Sequence, residues 1–460
     1  MTPPKPVPRP DRIGLFDYGR RFRADILSAQ PARLYRAWMA EFRTPFFRSF
    51  MMNDPELIDL VLKTRPDDFP KSDRIREGLA PLLGRSVFVT NGEDWKRQRR
   101  IIDPAFGKGR LRDAFPAMLA AAEAMVSRVG DGTQEIEEVA SYAAADVIFR
   151  TLFSVPIEDR LAAQVFREFR DYQRTQPLLN LAALIPLPRW MPRFHRRRTM
   201  AAARSIRSAI AALVERRAAE IAAGTAPDDL ATKIMTYPDP DSGHLFGPQE
   251  MVDQVAIFFL AGHETSASAF AWALYLLATH PEAQDRVAAE GLRDWQRFGF
   301  SDLSALTFTR DVFRETLRLY PPVPMMVRET TQVETFRGRV APKGAQVVLS
   351  PWHLHRHERM WEAPDAFDPG RWQTETCKES SRLAYMPFSA GPRVCTGAGF
   401  AMAEGVLLLA RLAGAFHLSA VGPPPVPVAH LTVRAQNGIR LCLTRRTVRS
   451  DTGDERVICG

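Results

Sequence analysis

Apolar residues recur at helical spacing through most of residues 110–320. Ala- and Leu-rich segments there carry Arg and Glu on the other face, the pattern of helices that bury one side. An earlier helix is predicted over Pro55-Glu56-Leu57-Ile58-Asp59-Leu60-Val61-Leu62-Lys63-Thr64, with Asp54 as N-cap and Pro55 at the first helical position. The longest helical pattern covers 249–279, opened by Pro248 and closed by His280-Pro281. A further apolar helix is expected over 398–415. Strand-like runs are few. They lie at Phe46–Met51, at 333–350 and at 429–444. The pattern predicts a mainly α fold with small β-sheets built from distant pieces of chain.

No internal repeat and no long flexible linker divides the sequence. Five prolines in the first ten residues mark an extended, Pro-rich tail over 1–12. Pro423-Pro424-Pro425-Val426-Pro427 is a stiff connector before the last strands. The polar end, 446–460, is expected to fray. One interleaved domain over 13–445 is therefore predicted.

Composition narrows the function classes. Of 460 residues, 45% are hydrophobic and 25% charged, which excludes disorder as the main state. The net charge of +9 comes from 62 Lys and Arg against 53 Asp and Glu. Arg is scattered from Arg9 to Arg456, and its densest run, Arg196-Arg197-Arg198, is short. Nucleic-acid binding would gather that surplus in one stripe, so no nucleic-acid partner is expected. The four cysteines, Cys377, Cys395, Cys442 and Cys459, form no C-x-x-C pair, which argues against a zinc ribbon and fits a reducing cytoplasm. No signal peptide is visible, and His263, Glu264 or Arg411 breaks each apolar stretch before the roughly 20 residues of a membrane span. A cytoplasmic chain without a transmembrane anchor is expected.

Candidate chemistry centres on Phe388-Ser389-Ala390-Gly391-Pro392-Arg393-Val394-Cys395-Thr396-Gly397. A sulfur just before a helix meets free N–H groups and the positive end of the helix dipole, and both favour a thiolate. The Gly/Pro turn lets a flat ligand approach the backbone, with Phe388 beside it. One anionic sulfur with no second Cys or His nearby suits a metal held otherwise by a macrocycle. A lone cysteine on a turn is otherwise a structural residue. This segment, however, resembles the haem-binding signature of the cytochrome P-450 family, F-x-x-G-x-R-x-C-x-G, at every fixed position. The resemblance implies a single haem-enclosing fold of the soluble bacterial type, with Cys395 as axial ligand of haem b and Phe388 and Gly397 against the cofactor.

The other family motifs follow in order. Ala261-Gly262-His263-Glu264-Thr265-Ser266 places an acid and an alcohol inside the 249–279 helix, a local conflict of the kind found at functional sites. It resembles the family's oxygen-binding motif, which implies that Ala261 borders the haem, Thr265 holds dioxygen by hydrogen bonding and Glu264 relays protons. Glu315 and Arg318 stand i, i+3 before Pro321-Pro322 and resemble E-x-x-R, whose third member would be Arg371. Together they imply a buried structural triad. Trp95 and Arg99 resemble W-x-x-x-R, and with Arg328 and Arg393 they match propionate-binding positions.

Substrate-enclosing segments carried over from the family are Leu79–Val89, Leu178–Met191, Phe258, Phe259 and Ala261, Val323–Val327 (with Met325 and Met326) and Val428–Thr432. Nearly all are apolar, which implies a hydrophobic small molecule. The apolar 181–192 loop, with Trp190 before Arg193 and Arg196–Arg198, suggests an entrance that touches lipid. The implied activity is monooxygenation, inserting one atom of O2 by hydroxylation or epoxidation. A non-oxygenating haem protein, an isomerase, dehydratase or ligand sensor, is the alternative. No flavin or ferredoxin motif lies within the sequence, so a separate acidic ferredoxin with an NAD(P)H-dependent reductase is expected to supply electrons. Its docking face would carry Arg97, Arg100, Lys108, Arg110 and Arg112, and the chain is expected to be a monomer.

Overall fold

The computed structural model describes residues 2–43, 48–175, 197–429, 431–449 and 455–457. Its centre is the helix Pro248–Ala278. Pro248 at the first turn and a Glu250 carboxylate on the Gly247 N–H start it. It is apolar on nearly every face, so it packs in the core against Ile136–Phe153, Arg197–Ala222, Thr307–Leu319 and Ala398–Ala415. The last of these helices is long and apolar enough to cross a membrane by composition, yet most of it is buried in this core.

A second core lies under a mixed four-stranded sheet. Met39–Arg43 pairs antiparallel with Arg48–Met52, which runs parallel to Gln346–Leu349, and Met326–Glu329 closes the sheet antiparallel. The predicted 333–350 run resolves into a hairpin, Glu334–Phe336 with Arg339–Ala341, and the sheet strand Gln346–Leu349. The 429–444 run becomes Val433–Ala435, paired with Pro427–Ala429, and Arg440–Arg445, flanked by Gly132–Glu135 and Phe416–Ala420.

The predicted helix start at Asp54 holds, since its carboxylate caps the Glu56 N–H. Beyond Asp59 the helix widens to π geometry over Leu60–Thr64. The first residues are extended and tied down. Tyr320 donates to the Pro4 carbonyl, and the buried Arg9 guanidinium donates to the carbonyls of Ala29, Pro10 and Asp11. At the other end Arg446 donates to Ala413 and Phe416 carbonyls, and Thr447–Arg449 pairs with Glu455–Val457. The 181–192 loop lies outside the described residues.

Candidate functional site

A cavity of about 790 Å³ lies between the central helix, the 387–397 loop and the four-stranded sheet. Its size is in the upper range for small-molecule sites. Cys395, Phe388, Gly397, Trp95, Arg99, Arg328, Arg393, Ala261 and Thr265 all line it, as do Phe258, Val323, Met325 and Met326.

The cysteine loop depends on close backbone contact. Gly391 has φ 68°, and a Cβ there would lie 2.0 Å from the Leu62 carbonyl oxygen. The Cys395 N–H closes the loop on the Phe388 carbonyl at 2.9 Å, and Ala398–Ala415 starts three residues on. Cys395 has accessible surface although it sits deep in the chain, so its free face is cavity wall. Burial pushes its thiol up, while the Gly397 N–H and Arg99 pull the other way. Burial outweighs both, and a cation bound at the sulfur would favour the thiolate.

Four cations gather beside it. The Trp95 ring lies 5.0 Å from the Arg393 guanidinium, 5.6 Å from Lys71 Nζ and 5.9 Å from the Arg99 guanidinium. Arg99 pairs with Asp103 and donates to the Val394 carbonyl at 2.8 Å. Arg393 donates to the Pro66 carbonyl and lies 3.7 Å from Asp67, but its Nε is buried without a partner. Among the described residues Arg328 donates to its neighbouring carbonyl, Val327, and its Nε is likewise orphaned. Burial and then Arg393 push Arg328 down to about 10. Burial, Arg328, Arg393 and Arg99 hold Lys71 well below the usual lysine range. Lys71 donates to the Val87 and Thr90 carbonyls, and among the described residues Asp103 and Asp67 are the acids set against these four cations, so the cluster is short of negative charge. Lys71 escaped the sequence reading because a bridge to Arg328, far along the chain, brings it here.

On the central helix the Thr265 hydroxyl donates to the Ala261 carbonyl one turn back. Glu264 is buried. Its Oε1 accepts from Thr432 at 2.8 Å and from Arg434 at 2.7 Å, and its Oε2 has no partner. Gly262 has a packing reason too, since a Cβ would lie 2.7 Å from the Ile148 side chain.

Comparison with known proteins agrees with this geometry. The profile of the family described as cytochrome P-450 matches residues 38–443. The chain belongs to the cytochrome P-450 family. It is 33% identical over 394 residues to cyclooctat-9-en-7-ol 5-monooxygenase of Streptomyces melanosporofaciens, covering 83% of each chain. It is 30% identical over 424 residues to human cytochrome P-450 4A11, covering 85% of this chain and 79% of that one. The protein is thus a haem-dependent monooxygenase that uses O2, a hydrophobic substrate and a redox partner, and its cofactor is haem b on a cysteine thiolate.

The residues present fit that cofactor. Two propionates would neutralise the cation cluster and reach the orphaned Arg328 and Arg393 nitrogens. A Cβ at Gly397, on the cavity wall, would meet nothing within 4 Å, so the glycine leaves open space where a macrocycle must lie.

The P-450 triad is assembled. Glu315 Oε1 meets Arg318 at 2.8 Å and Arg371 at 3.0 Å, with all three side chains buried. Arg318 also donates to the carbonyls of His355, Pro364 and Ala366, and Arg371 to those of Glu362 and Ala363.

Two expectations need correction. Phe259 does not face substrate. It is 2% exposed, stacks on His263 at 5.3 Å and packs on Phe149 and Phe169, because one helical step turns it from the cavity into the core. The docking face is also less positive than its arginine count. Arg97 pairs with Glu250, Arg100 with Asp239 and Asp241, and Arg110 with Asp113. The Arg97 and Arg100 pairs fasten helix Gly92–Ile102 to a later segment, whereas Arg110 and Asp113 pair within one helix. Of the other substrate segments, Val87, Phe88, Val323–Val327 and Leu431 reach the cavity, whereas Leu79, Leu82, Leu83 and Val89 are core. The 178–191 segment lies outside the described residues.

Proposed function

We propose that this monooxygenase hydroxylates or epoxidises an uncharged, apolar small molecule held against Phe258, Val323, Met325 and Met326. One relative acts on cyclooctat-9-en-7-ol, an unsaturated alcohol, and a similarly apolar substrate suits these walls. The observation that carries the reading is the convergence of the Cys395 sulfur and the incompletely neutralised cations on one cavity.

When bound, the haem supplies the iron at which dioxygen is reduced and activated. Cys395 holds it by its thiolate, and the Gly397 N–H on the sulfur moderates that charge. Trp95, Arg99, Arg328 and Arg393, with Lys71, bind the propionates. Ala261 and Phe388 border the ring. Thr265 Oγ1 exchanges its bond to the Ala261 carbonyl for one into the cavity. Glu264 relays protons from solvent by way of its free Oε2, beside Arg434, which is 40% exposed at its side chain. The apolar walls exclude water around the substrate. Glu315, Arg318 and Arg371 fix the backbone behind the cysteine side. The enzyme acts as a cytoplasmic monomer whose single domain spans 13–445. Its electrons come from an acidic ferredoxin. With Arg97 and Arg100 already paired, electron transfer falls only modestly with salt. A salt-independent rate would count against a charge-steered partner.

Cys395→Ser is the decisive variant. The wild type shows the red-shifted Soret band of the reduced carbon monoxide complex, and Cys395→Ser abolishes it. Retention of the band would overturn the ligand assignment. Product formed from NADPH through a surrogate redox chain separates the oxygenase from an isomerase or sensor.

A further inference from the structure

The cavity wall that carries Val87 and Phe88 is held by its backbone more than by its own packing. Phe88 lines the cavity yet is 40% exposed, so burial of its side chain fixes it weakly. The polar groups of residues 82–90 are tied instead to four separate pieces of chain. Asp253 and Gln254, neighbours on the central helix, accept from the Arg85 N–H at 2.7 Å and from the Val87 N–H at 2.9 Å. Lys71 Nζ donates to the Val87 carbonyl at 2.6 Å, so Val87 is held at both of its backbone polar groups. Gln98 donates to the Arg85 carbonyl, and Arg207 joins the Leu82 carbonyl to Asp253. Gly84, at φ 51°, lets the chain come this close, since a Cβ there would lie 2.2 Å from Asp253 Oδ1. Gln254 is fully buried, and its Nε2 meets no partner among the described residues. An orphaned amide nitrogen costs stability that an aliphatic side chain of similar size would not. What the glutamine adds is the acceptor for Val87. It lies in the core, whereas Phe258, one turn on, lines the cavity.

We propose that Gln254 is a specificity-determining positioning residue, which acts through the backbone of Val87 and the side chain of Phe88. The inference rests on the monooxygenase reading of this cavity and deepens it. The hydrogen bond from Val87 sets this wall against the same helix that carries Phe258 and Thr265. Wall and oxygen-binding segment then share one rigid frame. A substrate wide or long enough to touch Val87 and Phe88 is thereby held with one part of its skeleton at the reacting centre. With the bond removed, the ligand itself must order the wall, and apolar molecules that touch it lose affinity while small ones do not. Asp253 and Arg207 hold the preceding peptides and leave Gln254 as the tie nearest the lining residues.

The test uses holoenzyme and the variants Gln254→Leu, Gln254→Glu and Phe88→Ala. The probes are 1-methylimidazole, 1-phenylimidazole and 1-dodecylimidazole, whose binding is read from the Soret shift. The wild type prefers the two larger probes. Gln254→Leu weakens those two about tenfold and leaves 1-methylimidazole and the carbon monoxide band unchanged. Amide hydrogen exchange across residues 85–90 quickens in the same variant. Its stability stays nearly level, because one orphaned amide nitrogen leaves as the Val87 N–H loses its partner. Gln254→Glu, held neutral by burial, keeps the acceptor oxygen and restores most of the preference. In the Phe88→Ala background Gln254→Leu adds little, since the two act on one wall. If Gln254→Leu loses haem, Gln254→Asn decides, because it stays polar but draws the acceptor back by one carbon. Equal weakening of all three probes, no recovery in Gln254→Glu, additivity with Phe88→Ala, or no preference in the wild type overturns the proposal. Loss of the carbon monoxide band from the wild type would instead overturn the family-based reading of the site.

Discussion

Two clusters of cationic side chains, one buried around Glu315 and one half-buried around Trp95, differ in how completely they are satisfied. Around Glu315, the Arg318 and Arg371 guanidinium groups share one carboxylate and spend further N–H groups on five backbone carbonyls. Around Trp95, Lys71, Arg99, Arg328 and Arg393 face one another, with orphaned nitrogens on two of them. The first cluster is complete as folded, so its work is structural. The second is not, because Asp103 and Asp67 reach only Arg99 and Arg393 and leave the Arg328 and Arg393 Nε atoms unpaired. A buried charge without a protein partner is too costly to keep by accident, which makes the unsatisfied cluster the one that binds a ligand.

The comparison breaks most severely at the satisfied cluster. Arg318→Ala strands the Glu315 carboxylate, and about 3–5 kcal/mol of stability is lost. Denaturant unfolding of the holoenzyme measures it, and a loss below about 1 kcal/mol would mean that the triad is not a lock. At the unsatisfied cluster the effect moves from folding to ligand. Arg328→Ala or Arg393→Ala removes one charge-assisted hydrogen bond to a propionate, worth about 1.5–3 kcal/mol. Haem is then lost to a scavenger apoprotein about 10–100 times more readily. Haem-free stability stays level or rises, since a repelling neighbour is gone. Equal damage to folding at both clusters would erase the distinction.

How much of this was legible in the sequence follows from contact range. The cysteine loop, the bounds of the central helix and the Glu315–Arg318 pair are local patterns, and the structure reproduces them. Lys71 stands in no motif and reaches the cluster through a bridge to Arg328. The Arg434 clamp on Glu264 and the Ser266 contact of Glu404 likewise join residues more than a hundred positions apart. Phe258 and Phe259 are neighbours of identical type, and only helix rotation sends one to the cavity and the other to the core. Short strands such as Met39–Arg43 and Gly132–Glu135 owe their form to distant partners rather than to their own alternation. The arginine count near Trp95 overstated a positive face because the acids that neutralise it, Asp239, Asp241 and Glu250, come from a later segment.

Lys71 gives the smallest and most specific test of the comparison. Burial and three arginines depress its ammonium in the protein alone, whereas a propionate beside it favours the charged form. Haem binding therefore takes up a proton at Lys71 wherever the protein alone has released it. The bound state then holds more protons than the haem-free state, so haem affinity falls as pH rises. The window runs from the depressed value of Lys71 up to the ordinary lysine value of about 10.4. Haem-transfer rates followed against pH should show this slope in the wild type and a flatter one in Lys71→Met, with a loss of only a few fold at neutral pH. Below that window Lys71 is charged with or without haem, so its removal there costs one screened contact to a propionate. An unchanged slope in Lys71→Met would remove the lysine from the anion-binding cluster and leave the three arginines to hold the propionates alone.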